Sequence, residues 1–290
     1  MPRLLTRVKS RLFIHAAQKS LHALDGAYAS LMRGRSFDFE DLRPYEYGDQ
    51  VRDIEWKATA RHGQPLIKRM RALRRHTVLL IVDSGRGMNA LAEDEGTKRD
   101  LSVLIAGALG FLAVRHGDEV SFFLGDAANT SHLPPVASED GLERGLRALD
   151  TAIRQSSAPN DRDALLARVA RTVSRRRIIV IITDEAPLTE QTEGLLRRLR
   201  AQHDVLWMTL RDADPAGEAR HDVDSGWRVP SFVSNDPDVH RELAAQELAE
   251  TTRREETLRR LEIDHTEFDG RSSAVTALLR LLHRRSHARP

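Results

Sequence analysis

The chain has no cysteine among its 290 residues. Disulfides, thiolate metal sites and cysteine redox chemistry are therefore excluded, which fits a reducing compartment. Long apolar runs are absent too. The longest, from Leu101 to Val114, falls short of the ~18–20 residues a bilayer-spanning helix needs and reads as a buried core helix. The N-terminus, MPRLLTRVKSRLFIHAAQKS, is basic but lacks the continuous apolar segment of a secretory signal. A cytoplasmic protein with no membrane span is expected. Common catalytic patterns are missing as well. There is no H-E-x-x-H metal pair, no G-x-S-x-G elbow around Ser84 and no Gly-Lys-Ser/Thr phosphate loop. No internal repeat or low-complexity tract is present.

What is there is an ordinary globular composition, 40% hydrophobic and 30% charged, with a formal net charge of only +2. That charge is unevenly spread. Residues 1–76 hold sixteen Lys/Arg against eight Asp/Glu, leaving the remainder acidic. A basic segment attracts nucleic acid, anionic lipid or an acidic protein. It can equally pair with the acidic part of its own chain, which is the simpler reading.

Apolar residues at helical spacing between Leu4 and Met32 (Leu5, Val8, Leu12, then Leu21, Leu24, Tyr28, Leu31) predict one or two amphipathic helices, ended by Gly34. In the polar stretch that follows, Ile54 and Trp56 alternate with charged residues and predict a short half-buried strand. Gly63 then marks a turn into Pro65–Met70. From residue 77 the rhythm changes. Thr77–Asp83 (TVLLIVD) and Arg177–Asp184 (RIIVIITD) are continuous apolar runs, as expected of strands covered on both faces. Glu119–Leu124, Asp204–Leu210 and His265–Phe268 are further predicted strands. Helices are predicted over Leu101–Val114, Glu139–Ile153, Asp161–Val173 (with Asp161 as N-cap), Thr189–Gln202, Pro237–Leu261 and Ser272–Arg284. Gly107 and Gly110 are expected to let their helix approach the sheet. A linker is predicted near residues 211–236. Alternating strands and helices imply a doubly wound, mostly parallel α/β sheet over residues 77–290, with residues 1–76 as a helical and irregular segment packed on it.

Ligands on such sheets sit at the carboxyl ends of the strands, near the point where strand order reverses. Asp83 and Asp184 both end strands there. The stretch Asp83-Ser84-Gly85-Arg86-Gly87-Met88 can present oxygen ligands to a hard cation, or it can be a tight turn whose aspartate caps backbone N–H groups. Asp184 can likewise cap the turn that follows it. If the two carboxylates converge they need a cation, a basic side chain or a shared proton, and Arg86 is an available counterion. A third stretch runs from Leu42-Arg43-Pro44-Tyr45 through Gly48-Asp49, Arg52-Asp53-Ile54-Glu55-Trp56 and Ala60-Arg61. Its arginines and acids can form forked ion pairs that clasp an irregular loop. Tyr and Trp beside Arg also match the composition of interaction hot spots. The interspersed acids disfavour nucleic-acid stacking.

That third stretch, placed just before a strand ending in aspartate, resembles the hallmark of a bacterial family known as domain of unknown function 58. Glu55 stands where the family usually has aspartate. The resemblance covers roughly residues 34–210 and implies a von Willebrand factor A-like domain that works beside a MoxR-type AAA+ ATPase in the maturation or activation of a client complex. On that basis Arg43, Tyr45, Asp49, Arg52, Trp56, Arg61 and Arg86 are the expected partner-binding residues, and no catalytic residue is expected. The wider fold carries a metal-ion-dependent adhesion site built from D-x-S-x-S, a threonine and a further aspartate. Asp83 and Asp184 match its acids, but Gly85 and Gly87 replace the serines, and Asn160-Asp161-Arg162-Asp163 offers no matching threonine. The resemblance thus implies a degenerate site: no cofactor, or Mg²⁺ held weakly with water or Asp161 substituting for the lost ligands, or Arg86 in place of the ion, pairing with Asp83 or meeting a partner's carboxylate itself. The rival functions are a metal-dependent hydrolase using Asp83, Asp161 and Asp184, and nucleic-acid binding through the basic N-terminal segment.

Overall fold

The structure, a computed structural model, describes residues 3–15, 26, 28, 41–47, 54, 56–69, 76–94, 96–213, 223 and 236–287. In chain order its elements are α1 (Leu4–His15), β1 (Asp41–Pro44), α2 (Trp56–His62), β2 (Leu66–Arg69), β3 (Thr77–Asp83), α3 (Lys98–Arg115), β4 (Glu119–Gly125) and β5 (Thr130–Val136). They continue with α4 (Glu139–Gln155), α5 (Arg162–Thr172), β6 (Ile178–Asp184), α6 (Glu190–Gln202), β7 (Asp204–Leu210), α7 (Pro237–Arg260), β8 (Asp264–Phe268) and α8 (Ala274–His287).

Six strands form one sheet in the order β5-β4-β3-β6-β7-β8. Every neighbouring pair is parallel except β4–β5. Both faces of the sheet are covered, which is why its central strands read as unbroken apolar runs. Val78, Leu80 and Val82 face one core with α1, α3, α4 and α8. Leu79 and Ile81 face the other, with Leu165 and Leu166 of α5, Leu196 and Leu199 of α6, and Leu258 of α7. Strand order reverses between β3 and β6, so the ligand-bearing crevice of this topology opens at the ends of those two strands.

α3 is buried along almost its whole length. Its glycines serve helix packing, where closeness to the sheet was expected. A Cβ at Gly107 would lie 2.7 Å from Val8 Cγ2 of α1, and one at Gly110 would lie 2.5 Å from Leu142 Cδ1 of α4. α1 thus shares the main core, through Leu5, Val8 and Leu12. Its first turn is fastened by the buried Glu143 carboxylate, which accepts from the N–H groups of Leu4 at 3.1 Å and Leu5 at 2.8 Å. Tyr28, also in the core, donates to Asp118 Oδ2 at 3.0 Å, while Asp118 Oδ1 accepts from the His76 N–H just before β3.

One expected strand is corrected. Trp56 opens a helix and is not in a strand, because the Lys-Ala-Thr-Ala-Arg run behind it favours helix, and only an isolated bridge remains at Ile54. β5 was not foreseen. It is an exposed edge strand whose Pro134 and Pro135 are tolerated because one side needs no partner. Apart from Gly26 and Tyr28, which are helical, the helix expected over residues 21–32 lies outside the described residues, as do its stop at Gly34 and nearly all of the 211–236 linker.

Candidate functional site

β3 and β6 run side by side with Val82 level with Ile182, so the chain delivers Asp83 and Asp184 to the same edge. Asp83 is 1% exposed; its Oδ1 accepts from the Gly85 N–H at 3.3 Å. Burial first, and then the nearby Asp184 carboxylate, push its pKa up to about 7. Asp184 accepts from the Asn160 side-chain amide through Oδ2 at 2.5 Å and from the Ala186 N–H through Oδ1 at 3.2 Å.

The segment before α5 closes this edge. The Arg86 N–H donates to Ala158 O at 2.8 Å and the Ala127 N–H to Pro159 O at 3.1 Å, stitching residues 158–159 between the loops after β3 and β4. Asn160 is thereby set directly over Gly85 and Gly87. A Cβ at Gly85 would overlap Asn160 Oδ1 and lie 2.5 Å from its backbone N and 2.7 Å from its Cα. At Gly87 the nearest Asn160 side-chain atoms would be 3.2 Å away. Asp161 caps α5, accepting from the Ala164 N–H at 2.9 Å, as its position in the sequence predicts.

Arg162 is the cation at this site. Its side chain is 9% exposed, and the guanidinium lies 3.9 Å from Asp184 Oδ1 and rests over the Trp207 ring at 5.5 Å. It donates to Ala186 O at 3.1 Å and to Pro187 O at 2.7 Å. Burial lowers its pKa while Asp184, Asp163 and Asp83 hold it up. Arg86, expected to pair with Asp83 or to meet a partner's carboxylate in place of the ion, donates from its guanidinium to Ser157 O at 3.3 Å. Arg162 was not foreseen as a counterion because it comes from a segment remote in sequence.

The residues present do not fit an octahedral Mg²⁺ site. The two hydroxyl positions are glycines, their space is taken by Asn160, and the Asp161 carboxylate is engaged as a helix cap. Among the described residues no group of three His, Asp or Glu is arranged to hold a metal. Several buried polar atoms at the edge have no hydrogen-bond partner: Asp83 Oδ2, Asn160 Oδ1 and Thr183 Oγ1.

The other expected site residues fall on a small unit. β1 pairs with β2 antiparallel, placing Arg43 opposite Ile67, and the Tyr45 N–H donates to Pro65 O at 2.9 Å. Thr59 of α2 accepts from the Leu66 N–H at 3.0 Å, tying the helix to the hairpin. Trp56 is 64% exposed, Tyr45 is at the margin of exposure, Tyr47 is fully open to solvent and Arg61 is exposed. Asp49 and Arg52 lie outside the described residues, as do Asp53 and Glu55.

The family model for a protein of unknown function, DUF58, matches residues 41–219. Uncharacterised proteins from Mycobacterium bovis and Mycobacterium tuberculosis are 27% identical to the chain over 215 residues, 73% of this chain and 66% of theirs. The chain therefore spans just under two thirds of the length of those relatives. Among solved structures, an aerotolerance-related membrane protein from Bacteroides fragilis aligns with a TM-score of 0.43 at 15% identity, over 72% of this chain and 99% of that one. A von Willebrand factor type A protein from Catenulispora acidiphila aligns with a TM-score of 0.39 at 10% identity, over 73% of this chain and 43% of that one.

Proposed function

The chain belongs to the DUF58 family and folds around a mostly parallel six-stranded α/β sheet, and from that premise we propose that it is a non-enzymatic protein-interaction module of the von Willebrand factor A-like kind. In its fuller form the proposal makes it an adaptor between a MoxR-type AAA+ ATPase and a client complex, the role the resemblance implies. One observation carries the reading. Of the six exposed large hydrophobic side chains among the described residues, Tyr45, Tyr47 and Trp56 all belong to the β1–α2–β2 unit. Single exposed apolar residues are ordinary, but three exposed aromatic residues and an exposed Arg61 on one small unit have the make-up of a binding hot spot. That unit coincides with the residues that carry the family resemblance.

The chemistry of the sheet edge also supports interaction over hydrolysis. Asp161 Oδ1 caps α5 and Asp184 accepts from Asn160 and Ala186, engagements that favour interaction over a three-aspartate metal-dependent hydrolase. A cytoplasmic setting is part of the proposal. Among the described residues no helix is long and apolar enough to cross a membrane. The test is co-purification of the full chain from its native host under nucleotide-trapping conditions. Recovery of an AAA+ protein is the expected result; repeated failure to recover one counts against the adaptor role.

A further inference from the structure

We propose that Asn160 and Arg162 are a built-in replacement for the divalent cation at the ends of β3 and β6, making this edge independent of metal. The loss of the serine hydroxyls and the arrival of Asn160 are one event in space. With any side chain at position 85 the backbone of Asn160 could not lie where it does, since its N and Cα would be 2.5 Å and 2.7 Å from the added Cβ. Glycine at 85 is therefore what admits the asparagine.

Once admitted, Asn160 performs part of the work of an ion. Its Nδ2 donates to Asp184 Oδ2 at 2.5 Å, satisfying an oxygen that would otherwise face a cation or water. The missing positive charge comes from Arg162, two residues on, 3.9 Å from the other Asp184 oxygen. This guanidinium is fixed in place by the Ala186 and Pro187 carbonyls and by the Trp207 ring. The backbone that carries the amide is held too, because the carbonyls of Ala158 and Pro159 just before it accept from the two neighbouring loops. A tethered guanidinium cannot be chelated or diluted away, whereas a bound ion can. The arrangement of the edge itself stands whether or not a partner docks there. Its consequence for docking, contact without a bridging metal, rests on the interaction reading above.

The test pairs calorimetry with melting of the full chain. Titration of wild type with MgCl₂, MnCl₂ and CaCl₂ at millimolar concentration is expected to give no saturable heat, and EDTA is expected to leave its melting temperature unchanged. Arg162→Gln is expected to melt lower than wild type and to recover part of that loss in MnCl₂, which does nothing for wild type. A purely structural role for the guanidinium would not be restored by a cation. Stoichiometric ion binding by wild type overturns the proposal. So does an Arg162→Gln chain that melts like wild type, or one whose loss no divalent ion restores. Should Arg162→Gln fail to fold, Asn160→Ala serves instead: with the cup opened it is expected to gain Mn²⁺-dependent stability, and indifference to Mn²⁺ refutes the idea.

Discussion

The backbone N–H of Leu5 and the carboxylate of Glu143 meet in a buried 2.8 Å hydrogen bond across 138 positions of chain. Glu143 also accepts from the Leu4 N–H and from Arg147 at 2.7 Å, so one carboxylate serves the free N–H groups of α1 and pins that helix to α4. Glu143→Ala is expected to cost about 2–4 kcal/mol, since it strands buried donors. Hydrogen exchange should show the loss concentrated in residues 4–12. Unchanged exchange there would mean that α1 is held by its apolar face alone.

The same carboxylate sets a pH dependence. Burial opposes ionisation, but the Leu5 and Leu4 N–H groups and Arg147 outweigh it and hold the pKa below the ordinary 4.5. A depressed carboxyl contributes stability that is complete above its unfolded value and is lost as the pH falls through its folded value. Exchange protection of α1 is therefore expected to be flat above pH 4.5 and to fall below it, with Glu143→Gln showing no such step.

Asp83 behaves in the opposite sense. Its pKa is raised from 3.8 to about 7 by burial and by Asp184, so its contribution is fully favourable below pH 3.8 and is lost as the pH rises through 7. Replacing it with the neutral isostere removes that penalty. Asp83→Asn is expected to stabilise the protein by roughly 1–3 kcal/mol at pH 8 and to change little at pH 4. Chemical denaturation at the two pH values checks this; equal effects at both would place the ionised carboxylate in a compensated site.

Gly107 and Val8 give a packing test. An added Cβ at 107 would meet only side chains, Val8 first at 2.7 Å, so Gly107→Ala is expected to lower stability by about 1–3 kcal/mol. Val8→Ala in the same chain should return part of that loss, a coupling that a double-mutant cycle measures. Additivity would show that α1 adjusts freely over α3.

The strands of the sheet centre were legible because burial on both faces leaves a signal that needs no partner to read: TVLLIVD and RIIVIITD are apolar at every step. β5 was not, because an edge strand carrying Thr130, Pro134 and Pro135 has no core face to announce it. Ile54 and Trp56 misled because alternation across three residues is too short to separate strand from helix start. At the site, Asp83 and Asp184 could be read from their place at strand ends. Asn160 and Arg162 could not, since their roles depend on an approach to loops distant in sequence. The nearest signal was the pair Gly85 and Gly87, where missing side chains marked the space that Asn160 fills.

The central claim, that the exposed aromatic unit is a docking surface, is tested most directly by a double substitution. Trp56 is 64% exposed and Tyr47 is fully so, so Tyr47→Ala with Trp56→Ala is expected to change stability by no more than about 0.5 kcal/mol per site. The measurement is recovery of an AAA+ protein from the native host by wild type and by the double variant, with melting curves run on both. The account predicts that wild type captures the ATPase and that the variant, melting like wild type, loses it. Equal capture by both chains would contradict it.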